Sequence, residues 1–98
     1  MPLHHVVQFR FNEGATTEAI DELAARLRAL PGLIPQIANY VLGPDLGIND
    51  DNWDFALSAD FASMSDFETY RNHPEHQAVV RDCVTAITAK RHAVQFEY

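Results

Sequence analysis

The residues best suited to chemistry lie in one short run, Tyr70-Arg71-Asn72-His73-Pro74-Glu75-His76. Proline disfavours helical backbone at the residue before it, so His73 must leave any helix that arrives from the N-terminal side. Pro74 suits the first position of the helix that follows, where no N–H is needed. With His73 as N-cap, His76 falls at the third helical position, close to free backbone N–H groups. The positive end of a helix disfavours imidazolium, and burial acts in the same direction. His76 is therefore expected to be neutral at pH 7 and able to accept a proton. A neutral imidazole beside the Tyr70 hydroxyl is the arrangement of a general base with an orienting partner. The same run also has a plain structural reading: His73 and Pro74 set a helix break, and His76 can simply bond a backbone carbonyl.

Metal chemistry is the natural competitor, because His5, His73, His76 and His92 are numerous for 98 residues. The proline break should turn His73 away from His76, and no carboxylate or cysteine stands at matching spacing. No side-chain metal site and no cofactor are expected. Asp45, Asp50, Asp51 and Asp54 lack the Asp-x-Asp-x-Asp-Gly spacing of a calcium loop and read as a solvated connection. Backbone carbonyls in the Leu30 to Ile37 turn could hold a hard cation, a geometry that residue types do not encode.

The elements that must position these side chains follow from periodicity. Leu3, His5, Val7, Phe9 and Phe11 alternate along one face of a strand, with His4, Val6, Gln8 and Arg10 on the other. After Gly14, Thr16 or Thr17 can cap a helix whose stripe is Ile20, Leu23, Ala24, Leu27 and Leu30, and Pro31-Gly32 should end it. Ile37 to Gly43 reads as a second strand, and the polar stretch to Asn52 as a turn-rich connection. Trp53 to Phe61 reads as a third strand with Trp53, Phe55, Leu57, Ala59 and Phe61 on one face. Ser65-x-x-Glu68 has the form of a capping box for the next helix. That helix breaks at Pro74 and resumes with Val79, Val80, Cys83, Val84 and Ile87 on its apolar side. Lys90 to Tyr98 is the fourth strand.

The order βαββαβ, with right-handed crossovers, gives a ferredoxin-like α+β fold: a four-stranded antiparallel sheet with the helical segments on one face. The opposite face, read as Val6, Gln8, Ala56, Ser58, Ala93 and Gln95, is small, mixed and weakly charged. Such a face suits packing against a second copy of itself about a two-fold axis, so a homodimer is expected.

Composition narrows the function classes. The chain is read as one domain over residues 1–98, with enough apolar residues (47%) for a core. A net charge of −7 repels phosphate backbones, which argues against a nucleic-acid partner. Cys83 has no partner for a disulfide and sits among valines, as a core residue does. Met1-Pro2-Leu3-His4-His5 runs directly into a strand without a leader pattern, and no apolar run approaches the ~20 residues needed to span a bilayer. A cytoplasmic location and no membrane partner are expected.

Three features together resemble the stress-responsive dimeric A/B barrel (Dabb) family: His5 near the start of strand one, Phe61-Ala62-Ser63-Met64-Ser65-Asp66-Phe67 after strand three, and Tyr70 through His76 as Tyr-x-x-His-Pro-x-His. The likeness covers nearly the whole chain. It implies two ferredoxin-like sheets packing face to face into a dimeric α/β barrel. Some members resemble cofactor-free polyketide cyclases, in which the second histidine of the motif acts as base. Carried over, that makes His76 the base, with Tyr70 and His5 as its pocket partners. Phe9, Phe55, Leu57 and His73 would line the pocket, Phe55 standing where the cyclases can place another histidine. The ligand implied is a small, largely apolar carbonyl or polyketide-like compound. Two alternatives stand beside this reading: a dimeric stress protein without catalysis, and a haem-degrading monooxygenase in which Trp53 would press on the macrocycle.

Overall fold

The alternating run at the N-terminus forms strand β1 (Leu3–Phe11), at the centre of the computed structural model, which describes residues 1–98. Helix α1 (Thr17–Leu33) follows, then strands β2 (Ile37–Pro44) and β3 (Phe55–Phe61) and helix α2 (Met64–Asn72). Helix α3 (Pro74–Val79) runs on through a π-helical turn at Val80–Val84 and a last turn, α4 (Thr85–Ile87), into strand β4 (Thr88–Glu97). The sheet is antiparallel throughout, in the order β2-β3-β1-β4. This is the ferredoxin-like α+β arrangement. No helix is long and apolar enough to cross a membrane.

The core lies between the helices and the inward face of the sheet. Leu3, Val7 and Phe9 of β1 and Phe55, Leu57, Ala59 and Phe61 of β3 meet Leu23, Ala24, Leu27 and Leu30 of α1. Val79, Cys83 and Val84 close the layer from the second helical segment. His5 is the one polar side chain buried among them.

Thr16 caps α1 by accepting the Ala19 N–H. The helix passes through Pro31 and ends on Ile34, whose N–H returns to the Leu30 carbonyl, one turn later than Pro31-Gly32 implies. Pro31 has a helical φ but no N–H for the Leu27 carbonyl, and the interruption falls within the last turn, after which the helix continues only to Leu33. The cap of α2 is Ser63, which accepts the Asp66 N–H; Ser65 lies inside the helix, and the Ser65-x-x-Glu68 box does not form. At the entry to β3 the Asp54 carboxylate accepts the Phe11 N–H, replacing a ladder bond, so the strand begins at Phe55 rather than Trp53.

The largest departure concerns β4. Pairing sets Gln95 opposite His5, Ala93 opposite Val7 and Arg91 opposite Phe9, so these three share the inward face. Ala93 and Gln95 therefore do not belong to the outer face. His92, Val94 and Phe96 do, beside Gln8, Val6 and His4. A strand's side chains alternate with period two, so an error of one residue exchanges its faces completely.

Candidate active site

The break at Pro74 builds the site. Without an N–H on Pro74, the regular helical bonding of α2 stops. The His73 N–H folds back to the Tyr70 carbonyl, and the His73 Nδ1 takes up the Glu75 N–H at 3.1 Å. The Arg71 carbonyl is thereby released from its usual helical partner. It accepts His76 Nδ1–H at 3.1 Å and the Gln77 side-chain amide at 3.0 Å. A carbonyl can only accept, so the neutral His76 carries its proton on Nδ1 and leaves Nε2 as a free acceptor. Burial, with Arg91 and His73 nearby, holds the imidazole below the ordinary histidine range.

Tyr70 packs its ring on His76 with centroids 4.2 Å apart, and its hydroxyl shares a 2.8 Å hydrogen bond with the hydroxyl of Tyr40 on β2. Burial pushes the Tyr70 phenol up to about 12, and the Tyr40 phenol upward as well, so both stay protonated. His5 completes the group from β1. Gln95 donates its amide to His5 Nδ1 at 2.9 Å, which leaves the neutral imidazole proton on Nε2. Burial first, then the neighbouring His76, His4 and Arg91, lowers its pKa to about 4. The two histidines are thus complementary at neutral pH: His76 offers a lone pair on Nε2, and His5 offers an N–H.

These groups border a cavity of about 210 Å³ between the sheet and the helices. Among the residues singled out above, His5, Phe9, Leu57, Tyr70 and His76 line it. Phe55 and His73 do not. Phe55 packs against Phe9 and Phe11 further along the sheet, and the His73 ring is turned to cap α3. Val7, Phe67, Val80 and Val84 add apolar wall, and Arg71, Arg91 and Gln95 add polar groups. The last three were not foreseen. Arg91 and Gln95 follow from the correct facing of β4, and Arg71 could have been read from its place inside the histidine motif.

Other polar groups lie elsewhere. No three His, Cys, Asp or Glu side chains come close enough to hold a metal ion. Asp45 accepts from Gly47 N–H and from Asn52 within the β2–β3 connection. Trp53 packs against His92 with ring centroids 4.6 Å apart and under the Arg10 guanidinium, apart from the cavity. On the outer face, His4 joins the Asp60 carboxylate through Nδ1 and the Ser58 hydroxyl through Nε2. That connectivity is the one a nucleophilic serine needs. However, β1 and β3 are the two inner strands, and pairing on both edges uses the N–H groups an oxyanion would require. The network ties strands together instead.

A sheet of this order, covered by helices on one side with a histidine-lined cavity between the layers, defines a ferredoxin-like α+β protein with a candidate acid–base site. The chain belongs to the stress responsive A/B barrel (Dabb) domain family, whose model matches residues 3–98. A dimeric ferredoxin-like protein of unknown function from Thermobifida fusca is 36% identical, with a TM-score of 0.92 over 100% of this chain and 92% of the other. Hydroxynitrile lyase from Passiflora edulis is 21% identical, with a TM-score of 0.85 over 97% of this chain and 91% of the other. A Dabb family protein from Mesorhizobium loti is 18% identical, with a TM-score of 0.82 over 99% and 96% of the two chains. No curated protein matches the chain significantly.

Proposed function

We propose that the chain is an acid–base enzyme, working as a homodimer, that takes a compact and largely apolar carbonyl compound into the cavity between sheet and helices. The observation that carries this reading is the 3.1 Å contact of His76 Nδ1 with the Arg71 carbonyl, which assigns the proton to Nδ1 and leaves Nε2 as acceptor in a ring whose pKa burial lowers. His76 Nε2 removes a proton from the carbon next to the carbonyl. The electron pair of that C–H bond moves to the carbonyl oxygen as an enolate, and the His5 Nε2–H donates a hydrogen bond to that oxygen. The proton then returns from His76 to the same carbon, or to the oxygen of a second carbonyl after the enolate carbon has attacked it. Cofactor-independent ring closure on a short polyketide is one such outcome. An engineered cavity of ~150 Å³ binds the six carbons of benzene, so about 210 Å³ holds roughly eight non-hydrogen atoms, with any remainder of the ligand at the mouth. The hydroxynitrile lyase from Passiflora edulis is consistent with acid–base chemistry on this fold.

The homodimer is supported by the outer face of the sheet. Val41, Val94, Phe96 and Tyr98 are 49–62% exposed there, large apolar side chains on the face that the helices leave uncovered. Relatives from Thermobifida fusca and Bacteroides fragilis are described as dimeric.

The chemistry is tested by following exchange of the α-protons of phenylacetone in D₂O by NMR, which needs only the first step. His76→Asn keeps a donor for the Arg71 carbonyl and removes the base, and should slow exchange about 100-fold or more. Exchange by the native chain no faster than buffer, or undiminished in the folded variant, overturns the acid–base reading. Because burial lowers the His76 pKa, the rate should hold on acidification and fall only below pH 6.5.

A further inference from the structure

We infer that the ligand of this cavity carries a carboxylate, held at the mouth by Arg71 and Arg91 while its apolar body lies against Phe9, Leu57 and Phe67. The inference rests on reading the cavity as a ligand site and goes beyond it by fixing the charge of the occupant.

Acidic residues outnumber basic ones by fourteen to seven in this chain, yet no Asp or Glu lines the cavity, while two arginines do. The larger open groove beneath the β2–β3 connection shows the opposite balance, with Asp45 and Asp51 and no basic residue. A wall with two guanidinium groups and no carboxylate is therefore a local inversion of the molecule's charge.

The two arginines come from different layers. Arg71 stands in the last turn of α2, its guanidinium 5.6 Å above the ring of Phe67, itself a cavity residue. Arg91 stands on β4 opposite Phe9 and faces inward. Neither takes part in an ion pair, for those of the chain join Arg26 and Arg81 to Asp82 and His4 to Asp60. The charge of Arg91 is felt inside the site, where it opposes protonation of His5 and His76 and eases ionisation of Tyr70. Two unpaired guanidinium groups beside an apolar cavity form a receptor for a planar anion, which an arginine fork binds through two parallel N–H donors. The cavity volume restricts that anion to a compact carboxylic acid, so the enolisable substrate class becomes a small aryl or branched-alkyl keto acid.

The test compares phenylacetate with phenylacetamide, which match in shape and differ in charge, by NMR titration of the native chain. Phenylacetate should bind about tenfold more tightly or better at low salt. Arg91→Gln and Arg71→Gln should each shrink that gap while leaving the amide's affinity unchanged, and added salt should shrink it as well. Shifts should centre on His5, His76 and Ala93. Equal or tighter binding of the amide, or a preference that survives both substitutions, overturns the carboxylate and leaves the ligand cavity standing. If neither compound binds at millimolar concentration and phenylacetone does not exchange its protons, both readings fall. If phenylacetone exchanges its protons while the acid shows no preference, the chemistry stands and only the carboxylate is wrong.

Discussion

His4 and His5 are neighbours in sequence and opposites in circumstance. His5 points inward, is buried, accepts from a neutral amide, and has its pKa depressed to about 4. His4 points outward, where it meets the Asp60 carboxylate and the Ser58 hydroxyl. The contrast extends to the whole sheet. The inward face turns a neutral His5 and the unpaired Arg91 towards a cavity, whereas the outward face hydrogen-bonds His4 to Asp60 and Ser58 and surrounds them with exposed Val41, Val94, Phe96 and Tyr98. One strand can serve a chemical site and an association surface at once because successive residues answer to different neighbours. On the reading proposed above, the inner face serves proton removal and the outer face serves pairing with a second copy.

The strongest way to break this division is to charge the outer face. Val94→Asp or Phe96→Asp should raise the dimer dissociation constant by about 100-fold or more, since each would bury an unpaired carboxylate among apolar side chains. Sedimentation equilibrium measures this directly. Ligand titration of the monomeric variant should still shift the inward residues. If Val94→Asp leaves the particle size unchanged, the association surface lies elsewhere.

Acid titration separates the two faces more finely. The folded His5 has a pKa of about 4 against 6.5 for the ordinary group, so the unfolded chain binds the extra proton between those values. Stability from keeping His5 neutral is complete above pH 6.5 and drains as the pH falls towards 4, by on the order of 2–3 kcal/mol. Asp60, held low chiefly by its bond to His4, behaves differently. Its contribution is present above the ordinary 3.8 and is lost only on further acidification. Urea unfolding from pH 8 to 3 should show two separate losses, the inner first. His5→Gln should shrink the upper loss, to which the depressed His76 also contributes, and leave the lower one unchanged; a single loss centred below pH 4 would contradict the assignment.

Much of this was readable from residues, and the failures share a cause. The alternation of β1 and the stripe of α1 identified the core because each meets water on one side only. The break at His73-Pro74 was legible because proline's constraint is local and covalent. Strand β4 was misread because its more apolar set, Val94 and Phe96, faces outward, against the rule that the apolar set meets the helices. That rule assumes one covered face, and this sheet has an apolar surface on both. The same slip hid Gln95 and Arg91 from the candidate site. Ser63 and Ser65 each stand three residues before an acid, so the local sequence offers two equivalent caps, and tertiary packing of Phe67 and Tyr70 chooses between them.

The smallest expected effects compare one hydroxyl pair from each face. Tyr70→Phe removes the 2.8 Å bond to Tyr40 from the inner layer and leaves a phenol without its partner, which should cost about 1–2 kcal/mol. Ser58→Ala removes the 2.9 Å bond to His4 from the outer face. In the monomer, water replaces that bond, and the cost should stay near 0.5 kcal/mol. Within the dimer water is excluded, and the cost should rise towards the Tyr70 value. Measuring Ser58→Ala in the native chain and again on the Val94→Asp background therefore asks whether the outer face is covered, independently of particle size. An equal cost in both backgrounds would mean that the face stays wet, and the symmetry between an inner site and an outer interface would fail.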